Sequence, residues 1–563
     1  MHKFVGPAQN TNYLKSAIAR LYGDDDDFII IGLTGRTGSG CSTVAKILQS
    51  EKGNIRYSLF SGTNPVYNDQ RKERILLCAY QAIWSPFLLI QVRSIITTFL
   101  LDQSDDDAVS YFKSILDTEI KVSGFRELLV DLRVDYDRIK DEDVNVDVIK
   151  YYTKTLPDKC DRLKDVLGES AFVRLYQIIG KNIRLSGHPY NGNLKDGEFF
   201  VIVERINEVI KRIRLKQKSL KQCTYIVVDA IRNPLEAVFF QDRYSSFFLM
   251  AVSAPERDRW NRLRKLKYSE EDINSIDKIE YTPKELDDTD YYSVQDIQGC
   301  LQRSDLYVSN PDVDNKVTEY QHLSNQLIKF VLLIRRPGII APSAVERCMQ
   351  IAYTAKLNSG CISRQVGAVV ADPDYSIRSI GWNDVPSGQV PCSLRNREDL
   401  INGSDLKAYS DYERKTNKYI EFFVTQCKRY IDIVSAGRNN SFCFKSEYNA
   451  FTNKDNQVHT RSLHAEENAF LQLAKYGSMG IRGGVLFTTA SPCELCSKKA
   501  YQLGIERIYY IDPYPGIAID HILCGGVRNP ELILFSGAIG RAFHKLYSPI
   551  VPYKDELKAI TSL

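Results

Sequence analysis

The sequence predicts an α/β protein of two domains, and three observations carry that expectation. The apolar run Phe28-Ile29-Ile30-Ile31-Gly32-Leu33 reads as a buried parallel strand, and it leads into a glycine-rich turn, Gly35 to Gly40, and a helix starting near Ser42. Past residue 366 the signals follow the order β-β-α-β-α-β, which suggests a three-layer α/β/α sandwich. Between the two, Arg336-Pro337-Gly338 breaks the chain. At 563 residues the chain exceeds one ordinary core. The boundary is placed in or near the predicted helix Val317 to Arg335 just ahead of that break, giving an N-terminal domain over 1–325 and a C-terminal domain over 326–563.

In the first half, residues 70 to 215 read as mostly helical. Tyr225 to Asp229 is a second buried strand that ends on an acid, Phe247 to Val252 a third, and Asp305 to Val308 a short last one. Val317 to Arg335 reads as a helix. In the second half, Val366 to Val370 and Ile377 to Trp382 form a hairpin through Asp372-Pro373-Asp374. Residues 384–463 follow, rich in charge and aromatics, with a helical stretch near Tyr412 to Val434. Then come a helix at Ala465 to Lys475, a strand at Gly484 to Thr489, a helix at Cys493 to Leu503 and a strand at Arg507 to Ile511.

Composition narrows the function classes. Apolar residues make up 44% and charged residues 26%, a globular balance rather than a disordered one. The net charge of +4 is low for wholesale wrapping of nucleic acid and suits a phosphorylated small molecule or a local basic patch. The 13 cysteines are odd in number and mostly scattered, as expected of a reducing, cytoplasmic setting. Met1 to Asn10 has no apolar leader core. Tyr80 to Leu101 is interrupted by Pro86 and Arg93, so it reads as one buried helix and no membrane association is expected.

The strongest chemical signal is His464-Ala465-Glu466 followed by Pro492-Cys493-Glu494-Leu495-Cys496. A catalytic zinc needs three protein ligands and one open position. His464, Cys493 and Cys496 supply three, with the cysteines on one face of a helix's first turn, where the helix end favours thiolates. Glu466 is then the proton carrier: it takes a proton from the attacking water, delivers it to the ring nitrogen N3 of a cytosine, and helps ammonia leave C4. Glu467 reads as a surface acid. A structural zinc ribbon would need a fourth ligand, and no second C-x-x-C exists. The order H-x-E…P-C-x-x-C is that of the zinc nucleobase deaminases.

The segment from about Ala341 to Asp512 resembles the deoxycytidylate deaminase family. The matching stretches are Ser359 to Val370, Gly381-Trp382-Asn383-Asp384 and the zinc motifs. Family members typically carry Gly-Tyr-Asn-Gly, where this chain has Trp382 and Asp384. The resemblance implies a cytidine deaminase-like fold, Zn2+ as cofactor, a deoxycytidine nucleotide as substrate, and a sugar contact from Asn383. Arg364 either meets the substrate phosphate or is a solvated surface arginine. Asn468 either lines the pocket or caps its own helix turn. A single-stranded nucleic acid cytidine deaminase is the alternative, but that would call for more basic and aromatic interleaving than residues 395–418 offer.

Gly35-Arg36-Thr37-Gly38-Ser39-Gly40-Cys41-Ser42-Thr43 fits the phosphate-loop pattern G-x-x-x-x-G-K-[ST], except that Cys41 stands where lysine belongs. Backbone N–H groups can still cradle phosphates, and Ser42 can still ligate Mg2+ of a nucleoside triphosphate, with Asp229 as the acid at the strand end. Arg257, Arg259, Arg262 and Arg264 recur along one helix, either as phosphate clamps or as a solvated face. The arginine set resembles that of nucleoside monophosphate kinases, the span from Val227 to Arg262 most closely, and nucleotide binding for sensing or assembly is favoured over phosphoryl transfer or an empty scaffold. A nucleoside monophosphate kinase with a deaminase-like appendage is the other reading. A P-loop kinase-like domain fused to a deoxycytidylate deaminase-like domain resembles the bacterial antiphage dCTP/dCMP deaminases. That resemblance implies depletion of deoxycytidine nucleotides during infection, a homo-oligomer and an inhibitory small RNA.

Overall fold

The computed structural model describes residues 27–115, 122–141, 147–195, 197–281, 293–312, 320–427, 430, 436–477, 480–512 and 518–561. Met1 to Asn10 and parts of the two stretches Val317 to Arg335 and Tyr412 to Val434 lie outside them. The chain divides into two compact units, one of residues 1–341 together with 536–563, the other of 342–535.

The first unit carries strands β1 (Phe28–Thr34), β2 (Leu88–Gln91), β3 (Thr224–Asp229), β4 (Phe247–Ser253) and β5 (Leu306–Ser309). The second carries β6 (Gly367–Ala371), β7 (Ile377–Trp382), β8 (Val485–Ala490), β9 (Arg507–Asp512) and β10 (Glu531–Leu534), and β11 (Gly537–Ala538) returns to the first. The first sheet has the order β11-β5-β4-β1-β3-β2, parallel except for the antiparallel pair β5–β11.

β1 shows why this sheet is buried on both sides. Phe28 and Ile30 pack with the helical region between residues 92 and 213, while Ile29, Ile31 and Leu33 pack on the opposite face. That second face is covered by α1 (Cys41–Gln49) through Val44, Ala45 and Leu48, and by the helix Gln321–Arg335 through Leu327, Val331 and Leu332. Successive side chains of a strand point to opposite faces, so an unbroken apolar run needs cover on both.

Two sequence expectations change. The apolar stretch Tyr80 to Leu101 is not one helix: a helix ends at Ile83, β2 follows Pro86, and a new helix starts at Val92. Proline cannot donate inside a helix and pushes its predecessor toward extended backbone, which frees Leu88–Gln91 to pair with β3. The domain boundary moves as well. The helix Gln321–Arg335 belongs to the first unit's core, so the division falls after Ala341, and residues 536–563 rejoin that unit through β11, Ala542 and Leu546.

The second unit is a three-layer α/β/α sandwich around the sheet β10-β9-β8-β6-β7. The β6–β7 hairpin turns at Asp372, whose carboxylate accepts the N–H groups of Asp374 at 3.0 Å and Ser376 at 2.9 Å. Ala368, Val370, Leu486 and Ile508 face α6 (Ala465–Tyr476) and α7 (Glu494–Leu503), and the helix Ala344–Ala355 covers the other face. We number the intervening helices α2 (Glu256–Lys265), α3 (Glu270–Tyr281), α4 (Gln321–Arg335) and α5 (Ala344–Ala355). Among the described residues no helix is long and apolar enough to cross a membrane.

The stretch 384–463 folds on itself. Tyr409, Tyr419, Phe423 and Phe442 form its own small core, while Arg395 pairs with Glu413 and Arg397 with Glu447 inside it. Its two ends meet in a bridge, Leu463 N–H donating to Asp384 O at 2.8 Å.

The contact that sets α6 on the sheet is backbone against backbone. A Cβ at Gly381 would lie 2.3 Å from Ala465 O and 2.4 Å from Ala469 N. Gly381→Val must therefore push α6 away, and we expect a loss of about 1–3 kcal/mol in chemical denaturation together with lowered zinc content.

Candidate active site and phosphate loop

Two helix starts deliver the ligands. His464 is the N-cap of α6 in extended backbone (φ −72°, ψ 157°), and Cys493 is the N-cap of α7 (φ −70°, ψ 174°). Cys496 follows within the first turn of α7. His464 Nδ1 lies 3.3 Å from Cys493 Sγ and 3.5 Å from Cys496 Sγ, and the three ligand atoms fall within 4.8 Å of one another. Tetrahedral zinc with nitrogen at about 2.0 Å and sulfur at about 2.3 Å sets those two atoms about 3.5 Å apart. The donor set thus fits zinc, and three ligands leave a fourth position open. Among the described residues this is the one such convergence of His, Cys, Asp or Glu side chains.

The local electrostatics favour a thiolate. The hydrogen bond from Cys496 brings Cys493 down to about 3, with the His464 ring adding to the effect, while the same bond and burial push Cys496 up. The hydrogen bond with Cys493 in turn raises His464.

Glu466 sits in the first turn of α6 with only 4% of its surface exposed, and burial raises its pKa. Thr488 Oγ1 lies 3.0 Å from Glu466 Oε1 and 2.7 Å from Ala490 O. The hydroxyl has one proton. A Glu466 carboxylate can accept it, and a protonated Glu466 can donate to Thr488 while Thr488 donates to Ala490 O. Both protonation states therefore have a partner, as a group that alternately takes and gives a proton requires.

Glu467 is not a plain surface acid. Its Oε2 accepts the His464 N–H at 3.4 Å and its Oε1 pairs with Lys499, tying α6 to α7. Asn383 is buried, accepting the Val366 N–H and donating to Arg364 O, each at 2.6 Å. It clamps the approach to β6 against the end of β7. Arg364 pairs with the buried Asp512 at the end of β9, so it is not simply solvated. Asn468 donates to Trp382 O at 2.9 Å and accepts from Gln472 at 3.1 Å, fastening α6 to β7 rather than capping its own turn. The Asp384–Leu463 bridge brings the residue after Asn383 beside the one before His464. Sequence reasoning missed the roles of Asp512, Thr488 and Lys499. The first two stand at or near strand ends, the only signal that could have raised them.

In the first unit, the segment Gly35 to Thr43 leaves β1 and opens α1, and no side chain caps that helix. Gly40 at the N-cap has φ 108°, and a Cβ there would lie 2.2 Å from Asn310 Nδ2, so glycine is required. Ser42 Oγ donates to Asp229 Oδ2 at 3.0 Å, joining the two groups that the sequence assigned to a metal. Cys41 is buried, and that burial pushes its thiol up to about 12, so it offers no charge in the lysine's place. Arg36 pairs with Glu256 at 2.7 Å and Asp277 at 2.9 Å. The remaining arginines are divided. Arg259 donates to Thr37 O at 3.1 Å and Arg262 to Ser39 O at 3.2 Å, so both hold loop carbonyls, whereas Arg257 is exposed and Arg264 pairs with Glu270 at 2.7 Å. The loop borders a cavity of about 410 Å³ whose lining includes Ser42, Arg93, Lys164, Tyr176, Arg184 and Asp229.

A zinc-dependent hydrolase is the class the second unit defines. Residues 342–512 match the family model described as the cytidine and deoxycytidylate deaminase zinc-binding region. The deoxycytidylate deaminase of Enterobacteria phage T2 is 31% identical over 166 residues, covering 30% of this chain and 78% of the phage protein. That of Enterobacteria phage T4 is 30% identical over 168 residues, covering 30% of this chain and 76% of its own length. A solved dCMP deaminase from the cyanophage S-TIM5, in complex with dCMP and dUMP, aligns at 26% identity and TM-score 0.21 over 35% of this chain and 99% of that one. The chain belongs to the deoxycytidylate deaminase family, through its second unit, and is a hydrolytic deaminase.

Glu466→Gln keeps the size of the side chain and its contact with Thr488 but cannot carry a proton. We expect kcat to fall about 10²–10⁴-fold while zinc content, measured by elemental analysis, stays at the wild-type level.

Proposed function

We propose that the chain converts deoxycytidine nucleotides, dCMP and dCTP, to dUMP and dUTP with release of ammonia. The convergence of His464, Cys493 and Cys496 beside the buried Glu466 carries this reading. Zinc bound by the three ligands supplies the Lewis acidity that makes water nucleophilic near neutral pH. Glu466 takes one proton of the attacking water and passes it to N3 as oxygen bonds to C4; it then takes the proton of the C4 hydroxyl and gives it to the amine, so the C4–N bond breaks as C4=O forms, one water is consumed and one ammonia is released. Asn383 retains one N–H and one lone pair beyond its two backbone bonds, which can serve the sugar. Asn468 and Arg364 flank the same strand ends, and Arg364 is assigned to the substrate phosphate.

A free nucleotide is favoured over a single strand because the charges and rings of 384–463 are spent on one another. Arg395 and Arg397 are buried in ion pairs and lie over Phe442, 4.4 Å and 5.4 Å from its centre, which leaves them unsuited to form a stacking strip for bases.

For the first unit the reading is a nucleoside triphosphate with Mg2+ at Gly35–Thr43, bound to tune deamination or assembly. Ser42 and Asp229 stand on the metal side, and the 410 Å³ cavity is of ligand size. The buried, neutral Cys41 disfavours phosphoryl transfer. Depletion of deoxycytidine nucleotides in antiphage defence, in the cytoplasm, is the setting that the resemblance supplies.

The decisive assay follows ammonia release from dCMP, dCTP and single-stranded DNA. Turnover of the free nucleotides is expected. Deamination of DNA with both nucleotides untouched would contradict the substrate class. Ser42→Lys should fill the cradle: ATP affinity measured by calorimetry should fall at least about tenfold, with zinc retained.

A further inference from the structure

The phosphate loop of the first unit already holds an anion of its own. Glu280, in the last turn of α3, has a fully buried side chain. It accepts the Thr37 N–H at 3.0 Å and the Thr37 hydroxyl at 2.5 Å, and it pairs with Arg232. Thr37 and Arg232 both line the 410 Å³ cavity. One turn earlier, Asp277 pairs with Arg36 at 2.9 Å and with Arg259 at 2.5 Å, and the Tyr281 ring lies 4.8 Å from the Arg36 guanidinium. Two carboxylates of one helix turn therefore engage a loop N–H and three of the arginines around the loop.

A backbone N–H beside a guanidinium is the donor set that a phosphate oxygen seeks. Two anions in a poorly solvated site repel, so a carboxylate and a phosphate cannot share these donors. Resting on the nucleotide-binding reading of the loop, we infer that Glu280 is an internal stand-in for phosphate, and that a polyphosphate binds by displacing it. Displacement breaks the contacts that hold the last turn of α3, so occupancy of the loop is reported as release of that turn. Binding to the wild type is correspondingly weakened, because the Glu280 contacts are lost as the ligand's are made.

The test uses the full-length protein and two probes, ATP with Mg2+ and inorganic tripolyphosphate. Glu280→Gln preserves shape and removes the competing charge, and calorimetry should find both probes binding about tenfold tighter than to the wild type. In the wild type, saturating tripolyphosphate should speed hydrogen exchange of the amides from Ile276 to Tyr281. Equal affinity of variant and wild type, or unchanged or slower exchange in α3, overturns the displacement while leaving nucleotide binding intact. If neither protein binds either probe, the nucleotide reading of the loop fails and this inference falls with it.

Discussion

Two helices of the second unit begin at one point, and the chemistry depends on that convergence. The N-cap position places His464 and Cys493 in extended backbone just ahead of α6 and α7, so each side chain emerges where the helix leaves unpaired N–H groups. Those positive ends favour the thiolate that a zinc ligand must become. The bridge from Glu467 to Lys499 and the backbone contact at Gly381 keep the two starts in register with each other and with the sheet. The same first turn of α6 carries Glu466 into a buried position. His464, Cys493, Cys496 and Glu466 are thus held by regular structure rather than by loops, which keeps their distances short and fixed.

The stretch 384–463 is inserted between β7 and α6, immediately beside the histidine ligand. A long insertion ending next to His464 would be costly if it were loose. Here it is closed at its base by the Asp384–Leu463 bridge and organised by its own aromatic core. Buried ion pairs such as Arg395–Glu413 gain little net stability over apolar packing, but breaking one is expensive, so they favour a single arrangement. Its rings and charges are spent largely on its own packing.

Much of this was legible in the sequence, for local reasons. The His464–Glu466 and Cys493–Cys496 spacings are intrahelical, and short-range geometry follows directly from them. The sandwich's element order could be read because its strands are short apolar runs separated by turn residues. What could not be read was tertiary. β2 was absorbed into an apolar helix because four residues in an apolar stretch show no period of their own. The return of 536–563 to the first sheet pairs residues more than two hundred positions apart, Gly537 with Tyr307. Arg259 and Arg262 carry the same charge whether they meet phosphate or loop carbonyls, and only the fold tells the two apart. Glu280 and Asp512 sit in segments without motifs, and they meet Thr37, Arg232 and Arg364 across separations of 243, 48 and 148 residues, which no local pattern reveals.

One histidine and two cysteines are positioned to hold a single zinc with an open fourth position. X-ray absorption at the zinc edge of the purified chain tests it most directly. About one zinc per chain is expected, with two sulfurs at about 2.3 Å and nitrogen or oxygen ligands at about 2.0–2.1 Å, one of them exchangeable. A shell of four sulfurs, or active protein without zinc, would contradict it.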